Sequence, residues 1–540
     1  MTKRRDLAFF AGGTVFAIAV VSFVASFRAL SSRHRSGTTR GSDPGRSNAT
    51  MPRSAPPVAS APELRPDDNE EDPPLHIIVT TDCRRYQHWQ AVALEHTWAR
   101  LKHPGRFTRI VSGCADAAAR RAVNGTAFSP SSSSGPGGTP RWGVFFTAPG
   151  AVRDGPGKAL RDRAKRPSAV VRWLAAHPSL PDDVLVVILD PDMLLLRPVA
   201  PTRALRALGV GRAPGVVGAQ RWPLGRAPDP RRGVAASWHA WRRVVCTSRA
   251  CAHLSRADIT ERYSSGPPWL VRAGDLRALA PLWEAHTRAS YNASRAVGNT
   301  VYVEQLAFSS AAAQAGFAQH VVPDLQASWP RRRLPPPPRP GGPPVVEAWD
   351  LRDRWRDGGR TLDAGAAAVF HYHQWWGLGP LRFHKGHVPG LHGPAHEYIL
   401  GCAAPLLLEP PPPPPAANVS RAPYSGWAMR FALGTINAAA VAYRHTHCAP
   451  GTVDETQRDV LMVRPRHEWN FDDDRASAGD AELHTGVRRI YANRTLWRGR
   501  HSVRLAGGKG PPARETFPYY VRLPAADKAW VEGFIRRRGW

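Results

Sequence analysis

The sequence predicts an α/β fold, a mostly parallel sheet flanked by helices, and four stretches carry that reading. In LHIIVTTDC a β-branched run from Ile77 to Thr81 ends in polar residues, as a strand does. From Tyr86, YQHWQAVALEHTWARL spaces Trp89, Val92, Ala93, His96 and Trp98 as a helix would, and FTRIVSGC then reads as a second strand. VLVVILD, from Val184, is a continuous apolar run of the kind that parallel sheets bury on both faces.

Ahead of the first strand, Lys3, Arg4 and Arg5 precede an uncharged run from Leu7 to Phe27, long enough to cross a bilayer. The expectation is a cytosolic tail at 1–6, a signal anchor at 7–27 and a disordered stem at 28–74, where Ser, Arg, Pro and acidic residues show no apolar period. Sequons at Asn48, Asn124, Asn292, Asn418 and Asn493 favour a luminal body, as do six cysteines (83, 114, 246, 251, 402, 448) able to form three disulfides in an oxidising compartment.

Beyond the second strand, SPSSSSGPGGTP (129–140) is a low-complexity insertion. AKRPSAVVRWLAAH predicts a helix from Ala164 with Pro167 near its first turn, feeding the strand at Val184. GDLRALAPLWEAH and YVEQLAFSSAAAQAGF predict two more helices. A second proline-rich insertion at 331–344 precedes VVEAWD and AAAVFHYHQWWGLGPLRFHKGH. The body is expected over 75–400 and a partly ordered extension over 401–540, where RFALGTINAAAVAYRHTHC keeps a helical period past the prolines at 410–415.

A chain of 540 residues, 42% hydrophobic, can build a sizeable core. Its formal charge of +30 comes mostly from arginine scattered along the sequence, which reads as compositional bias, although so basic a surface attracts polyanions whatever its origin.

The chemistry concentrates at LDPDMLLL, where Asp190, Pro191 and Asp192 interrupt apolar sequence. An Asp-x-Asp triplet recurs in FDDD (471–474), so position rather than motif is informative. Asp190 falls at the carboxyl end of a buried strand, where open α/β sheets bind ligands. Two close carboxylates suit Mg²⁺ or Mn²⁺, which bridges such oxygens to substrate phosphates. The alternative is that the aspartates cap the next turn or pair with an arginine such as Arg197. No glycine-rich phosphate loop accompanies them, which argues against ATPase and dehydrogenase readings.

A second constellation is FHYHQWWGLGPLRFHKGH. In an extended segment His371 and His373 face one side, and either could complete an Asp/Asp/His metal site. Arg382 and Lys385 could meet phosphate oxygens, while Trp375 and Trp376 offer flat faces to a sugar. The plain alternative is that these His and Trp residues are structural.

With these residues in view, the chain resembles the plant and algal family of luminal glycosyltransferases that holds peptidyl serine α-galactosyltransferases and hydroxyproline O-arabinosyltransferases. The likeness runs over roughly residues 75 to 450. HIIVTTDCRRYQHWQAV looks like the family's opening strand and helix, with Asp82, Cys83, Tyr86, Trp89 and Gln90 in place, and RPSAVVRWL followed by VVILDPDMLLLRPV is the most specific match. GDLRALAPLW, YVEQLAFSSAAAQAG and FHY follow in the family's order. The resemblance implies a GT-A type nucleotide-diphospho-sugar transferase fold with Asp190, Asp192 and His371 as metal ligands. It also implies donor contacts from Thr81, Asp82, Arg166, Asp190 and Lys385, and places Glu304 and Gln305 where the family carries an acidic residue near the sugar. Relatives usually have Lys-Pro where this chain has Arg166-Pro167 with Lys165 adjacent, and an arginine-rich stretch replaces their polar residues before GDLRALAPLW. Cys402, shortly before the polyproline tract, and INAAAVAYRHTHCAP past it look more like the serine galactosyltransferases.

The resemblance implies a single-pass type II protein of the Golgi or ER membrane that moves a sugar from a UDP-sugar to Ser or hydroxyproline of Pro-rich secreted glycoproteins, with retention, Mn²⁺ (or Mg²⁺) and no nucleic-acid partner. The rival class is a non-catalytic luminal binder of acidic or Pro-rich polymers.

Overall fold

In the computed structural model, the described residues are 73–124, 141–148, 158–199, 203–222, 261–296, 303–322, 325–327, 367–373, 376–388, 398–411, 424–453, 455–462 and 520–537, with a few isolated positions besides. The expected anchor, almost all of the stem, both low-complexity insertions, VVEAWD, Cys246, Cys251, Trp375 and the sequons at Asn48, Asn418 and Asn493 lie outside them. Among the described residues no helix is long and apolar enough to cross a membrane.

Strand β1 (Leu75–Asp82) leads into helix α1 (Arg85–Arg100), β2 (Arg106–Ser112), α2 (Ala117–Asn124) and β3 (Trp142–Thr147). Helix α3 (Lys158–Ala176), β4 (Leu185–Leu189), β5 (Met193–Leu195), the short α4 (Arg203–Ala207) and β6 (Val216–Arg221) follow. Next come β7 (Ser265–Arg272), α5 (Ala273–Ala296), α6 (Val303–Gln314), β8 (Ala318–Val322) and β9 (Gln326–Ala327). The remainder comprises β10 (Val369–His371), β11 (Trp376–Leu378), β12 (Leu381–Phe383), β13 (Leu406–Leu407), α7 (Tyr424–His447), β14 (Arg458–Met462), β15 (Tyr520–Arg522) and α8 (Ala525–Arg537).

Seven strands form the main sheet in the order β3-β2-β1-β4-β7-β6-β8. The pairs among β3, β2, β1 and β4 are parallel, as is β6 with β8, and β7 alone runs the other way. This is the mixed α/β, mostly parallel sheet expected from the strand and helix periods. The alternating faces of β1 and β4 account for its two cores, since a strand sends successive side chains to opposite sides. Ile78, Val186 and Ile188 pack with Trp173, Trp283 and Phe308 from α3, α5 and α6, while Ile77, Val79, Val187 and Leu189 pack with Leu94 and Trp98 of α1. Trp269 of β7 stacks on Phe308 with ring centroids 4.3 Å apart, and Trp283 meets both rings edge-on.

One helix differs from its expected form. Helix α3 starts at Lys158 rather than Ala164, which puts Pro167 in its interior. Proline has no N–H for the carbonyl of Arg163, four residues earlier, so one helical bond is lost. The buried run Ala169, Val170 and Trp173 downstream holds the helix on the sheet despite that loss.

A third core gathers residues from beyond 327 onto Trp89, Val92 and Ala93 of α1 and onto Leu194 and Leu196. Strands β11 and β12 form a hairpin around Gly379, whose φ of 54° suits the left-handed position of a two-residue turn. This hairpin joins β14, β13 and β15, so residues on both sides of 400 share one sheet. Disulfides join Cys83 to Cys114 and Cys402 to Cys448.

His76 and His103 are two of the buried histidines that give the fold a pH dependence. Burial, with Arg106 and His177 nearby, lowers His76 from 6.5 to about 3, and burial with Arg141 nearby lowers His103 to about 4. The unfolded chain binds protons on both below pH 6.5 while the folded one does not, so their contribution is complete above 6.5 and is lost as pH falls toward those folded values. Each should remove up to about 1.4 kcal/mol per pH unit over that window. Denaturant midpoints measured between pH 7 and 4 should fall, and His76→Gln should flatten the slope. An unaltered slope in that variant would assign the acid sensitivity elsewhere.

Candidate functional site

The site forms where β1 and β4, adjacent and parallel, end on the same edge of the sheet. Thr81 and Asp82 close β1, and Asp190 follows the last residue of β4. Pro191 and Asp192 turn the chain into β5, which pairs antiparallel with β10 so that His371 stands opposite Met193. The Tyr372 amide also donates to the Asp192 carbonyl at 3.2 Å. That ribbon brings a histidine from far along the sequence beside the two aspartates.

Asp190, Asp192 and His371 are all buried, and one ligand atom from each lies within 4.8 Å of the others. His371 Nε2 is 3.2 Å from Asp192 Oδ2 and 3.7 Å from Asp190 Oδ2. Two carboxylate oxygens and an imidazole nitrogen converging in this way fit Mn²⁺ or Mg²⁺. Each aspartate also meets a cation. Arg166 of α3 binds Asp190 Oδ1, and its Nε lies 2.9 Å from Glu304 Oε1 of α6. Lys385 binds Asp192 Oδ2 and hydrogen-bonds Tyr86. The sequence alternative of an arginine pairing with the aspartates therefore holds for Asp190, although the arginine is Arg166 and not Arg197.

The electrostatics follow from this pairing. Burial alone would raise the Asp192 carboxyl, but Lys385 and His371 outweigh it and hold it well below the usual carboxylate range. Burial opposes the charge of Lys385 too, and Asp192 more than offsets that, raising the ammonium above its ordinary value. Arg166 is raised in the same way by Asp190 and Glu304. His373 goes the other way, pushed well down by burial and by its neighbour His371.

A cavity of about 350 Å³ opens over the cluster. Thr81, Arg166, Asp190, Asp192, Glu304, Gln305, His371 and Lys385 all line it. Gln305 Oε1 is buried there with no hydrogen-bond partner among the described residues. Asp82 is not in the wall. Its carboxylate accepts from the Arg84 backbone at 3.0 Å, from Arg84 Nε at 2.6 Å and from Lys165 at 3.3 Å, so it holds two lining cations in place.

Two expectations from the aromatic and basic run fail. Arg382 turns away to donate to the Gly379 and Leu381 carbonyls, both at 2.9 Å, because the hairpin turn presents those acceptors next to it. Trp376 is fully buried against Phe370 in the third core, so its ring offers no face to a sugar. Conversely, the cavity takes residues to which sequence reading gave no role in a site: Arg84, Gln87, Ser112 and Trp222. Trp222 sits 5.9 Å from the His371 ring and 5.2 Å from that of His373. Nothing in its arginine- and proline-rich surroundings marks it.

Two kinds of comparison place the chain among known proteins, and no family model matches it. Two solved structures of the galactosyltransferase LgtC, one in complex with donor and acceptor sugar analogs and the other an active-site mutant, are each 14% identical and cover 55% of this chain and 87% of theirs, with TM-scores of 0.30 and 0.31. The bifunctional glycosyltransferase WbbM is 10% identical, covering 48% of this chain and 40% of its own, with a TM-score of 0.26. Among curated proteins, the chain is similar to peptidyl serine alpha-galactosyltransferase of Arabidopsis thaliana, 31% identical over 141 residues. That match takes in 25% of this chain and only 15% of the relative's length, and it agrees with the family likeness read from the sequence.

Proposed function

We propose that the chain is a metal-dependent glycosyltransferase of GT-A type that moves a sugar from a UDP-sugar to Ser or hydroxyproline in Pro-rich secreted polypeptides, in the manner of a serine α-galactosyltransferase. The observation that carries the reading is the buried Asp190, Asp192 and His371 cluster at the carboxyl edge of the sheet, where α/β proteins bind ligands. The sheet order with β7 alone reversed suits the GT-A arrangement that the resemblance implies. The acceptor class rests on the likeness to the serine galactosyltransferase, and the type II placement in Golgi or ER rests on the run from Leu7 to Phe27.

Charge supports a nucleotide diphosphate as the ligand. Arg84, Lys165, Arg166 and Lys385 are matched by Asp82, Asp190, Asp192 and Glu304. A divalent cation added to so balanced a buried site leaves positive charge that an anion must offset. Held by the three ligands, Mn²⁺ or Mg²⁺ would offset charge gathering on the leaving diphosphate. Arg84, Lys165 and Lys385 are placed to meet phosphate oxygens, and the open amide of Gln305 to bond a sugar hydroxyl. Glu304 is tied to Arg166, which makes it a poor nucleophile, so the retaining reaction is assigned to front-face attack by the acceptor hydroxyl.

The test is to incubate the full chain with Mn²⁺, a panel of UDP-sugars and Ser-Hyp peptides and to read products by mass. One added sugar per peptide, abolished by a chelator, is expected. If every donor stays intact with and without acceptor, the enzymatic reading fails. The salt bridges on both aspartates would then favour the second reading, a binder of acidic or Pro-rich polymers that needs no metal.

A further inference from the structure

The two cations on the aspartates are not equivalent. Arg166 takes Asp190 Oδ1 and leaves Oδ2 facing His371 Nε2 at 3.7 Å, so it orients that carboxylate without covering its inward oxygen. Lys385 takes Asp192 Oδ2, the same oxygen that faces His371 at 3.2 Å. We infer that Lys385 is a built-in competitor for the metal, covering the inward oxygen of Asp192 until a diphosphate draws the ammonium away, so that cation and nucleotide bind as a linked pair. The inference rests on the metal-dependent reading above and adds an order of assembly to it.

The physical case is short. An ammonium and a divalent cation on one carboxylate oxygen repel strongly in a buried site, so one must move. Arg166 is pinned at two points, by Asp190 and Glu304. Lys385 has a flexible four-carbon stem, lines the cavity and keeps its side chain 22% exposed, so it can swing toward an incoming anion. Its backbone stays put in a 3-10 turn, Lys385–His387, capped where the His384 ring accepts from the Gly386 amide at 3.1 Å. An anion that recruits Lys385 therefore uncovers Asp192, and by linkage the metal must raise affinity for that anion by the same factor.

The measurement is Mn²⁺ affinity by calorimetry on the full chain, with and without UDP, for wild type, Lys385→Met and Arg166→Met, with Asp192→Ala as the reference for non-specific uptake. UDP should tighten Mn²⁺ binding to wild type by about 5–150-fold, the usual span of site-to-site coupling. In Lys385→Met, Mn²⁺ alone should bind at least about tenfold tighter than to wild type, and the gain from UDP should shrink to less than about threefold, if uncovering Asp192 is the source of the coupling. Arg166→Met should not tighten Mn²⁺ binding. Equal or weaker binding of Mn²⁺ to Lys385→Met overturns the inference while leaving the metal reading intact, as does equal tightening in Arg166→Met, which would reduce the effect to general loss of positive charge. Absence of Mn²⁺ binding in every form, with UDP present, overturns the metal reading and the inference with it. Lys385→Gln, which keeps a polar group against Tyr86, repeats the test should the methionine variant misfold.

Discussion

Replacing Asp192 by alanine should lower sugar transfer from a UDP-sugar by about 10³-fold or more, since a bound metal supplies several kcal/mol of transition-state stabilisation and each 1.4 kcal/mol is tenfold in rate. Asp192 is the ligand to test because its Oδ2 faces His371 and its carboxyl is already held ionised by Lys385 and His371. The fold should survive, since the side chain lines a cavity and the backbone bond to Tyr372 remains. If the proposed function holds, Mn²⁺ plus UDP should raise the melting temperature of wild type and leave that of the variant unchanged. Turnover within about threefold of wild type would remove Asp192 from the chemistry, because loss of a ligand should exceed even the 10–100-fold effects of outer-shell changes.

Replacing Arg109 by methionine should destabilise the fold by about 3–5 kcal/mol, the range for breaking a buried ion pair from one side. Arg109 of β2 is fully buried, 3.8 Å from Glu95, and donates to Thr81 Oγ1 at 3.0 Å. Both Glu95 oxygens are buried with no hydrogen-bond partner among the described residues. Burial outweighs the attraction of Arg109 and raises the Glu95 carboxyl to about 7, so its contribution runs opposite to that of the histidines: present in full at acid pH and lost as pH rises from 4.5 through 7. Removing the pair together, as Arg109→Met with Glu95→Leu, should regain most of the stability, because apolar residues of similar volume replace buried charges at little cost. Denaturant unfolding of the two single variants and the double one decides the matter. A double variant no more stable than Arg109→Met would mean that the cost lies in Thr81 and in His88, whose Nδ1 is 3.1 Å from Arg109 Nη1, rather than in Glu95.

Three strands of the main sheet, β1, β2 and β4, are legible in the sequence, while β3, β6, β7 and β8 are not. β1 and β4 advertise themselves by β-branched and apolar runs, and Asp190 at the end of one reads as a ligand position from topology alone. What could not be read were the contacts made by short elements. β5 and β10 each span three residues, too few for a period, yet their pairing is what carries His371 to the aspartates. The resemblance supplied His371, and the residues alone left it level with His373. The beginning of α3 differs from its sequence expectation because proline marks helix starts more often than interiors, and packing downstream of Pro167 overrides that tendency. By residue type Trp376 suits both a sugar platform and a core, and only the third core decides between them.

The hairpin that leads to Lys385 is completed from far along the sequence. β12 bonds to β14, and Val531, Phe534 and Ile535 of α8 belong to the same core as Phe383 and Phe370. A ribosome delivers residues at roughly 5–20 per second, so the seven-stranded sheet with both aspartates has emerged many seconds before the segment that braces the lysine. The bracing of Lys385 therefore depends on residues made well after those of the seven-stranded sheet that carries both aspartates.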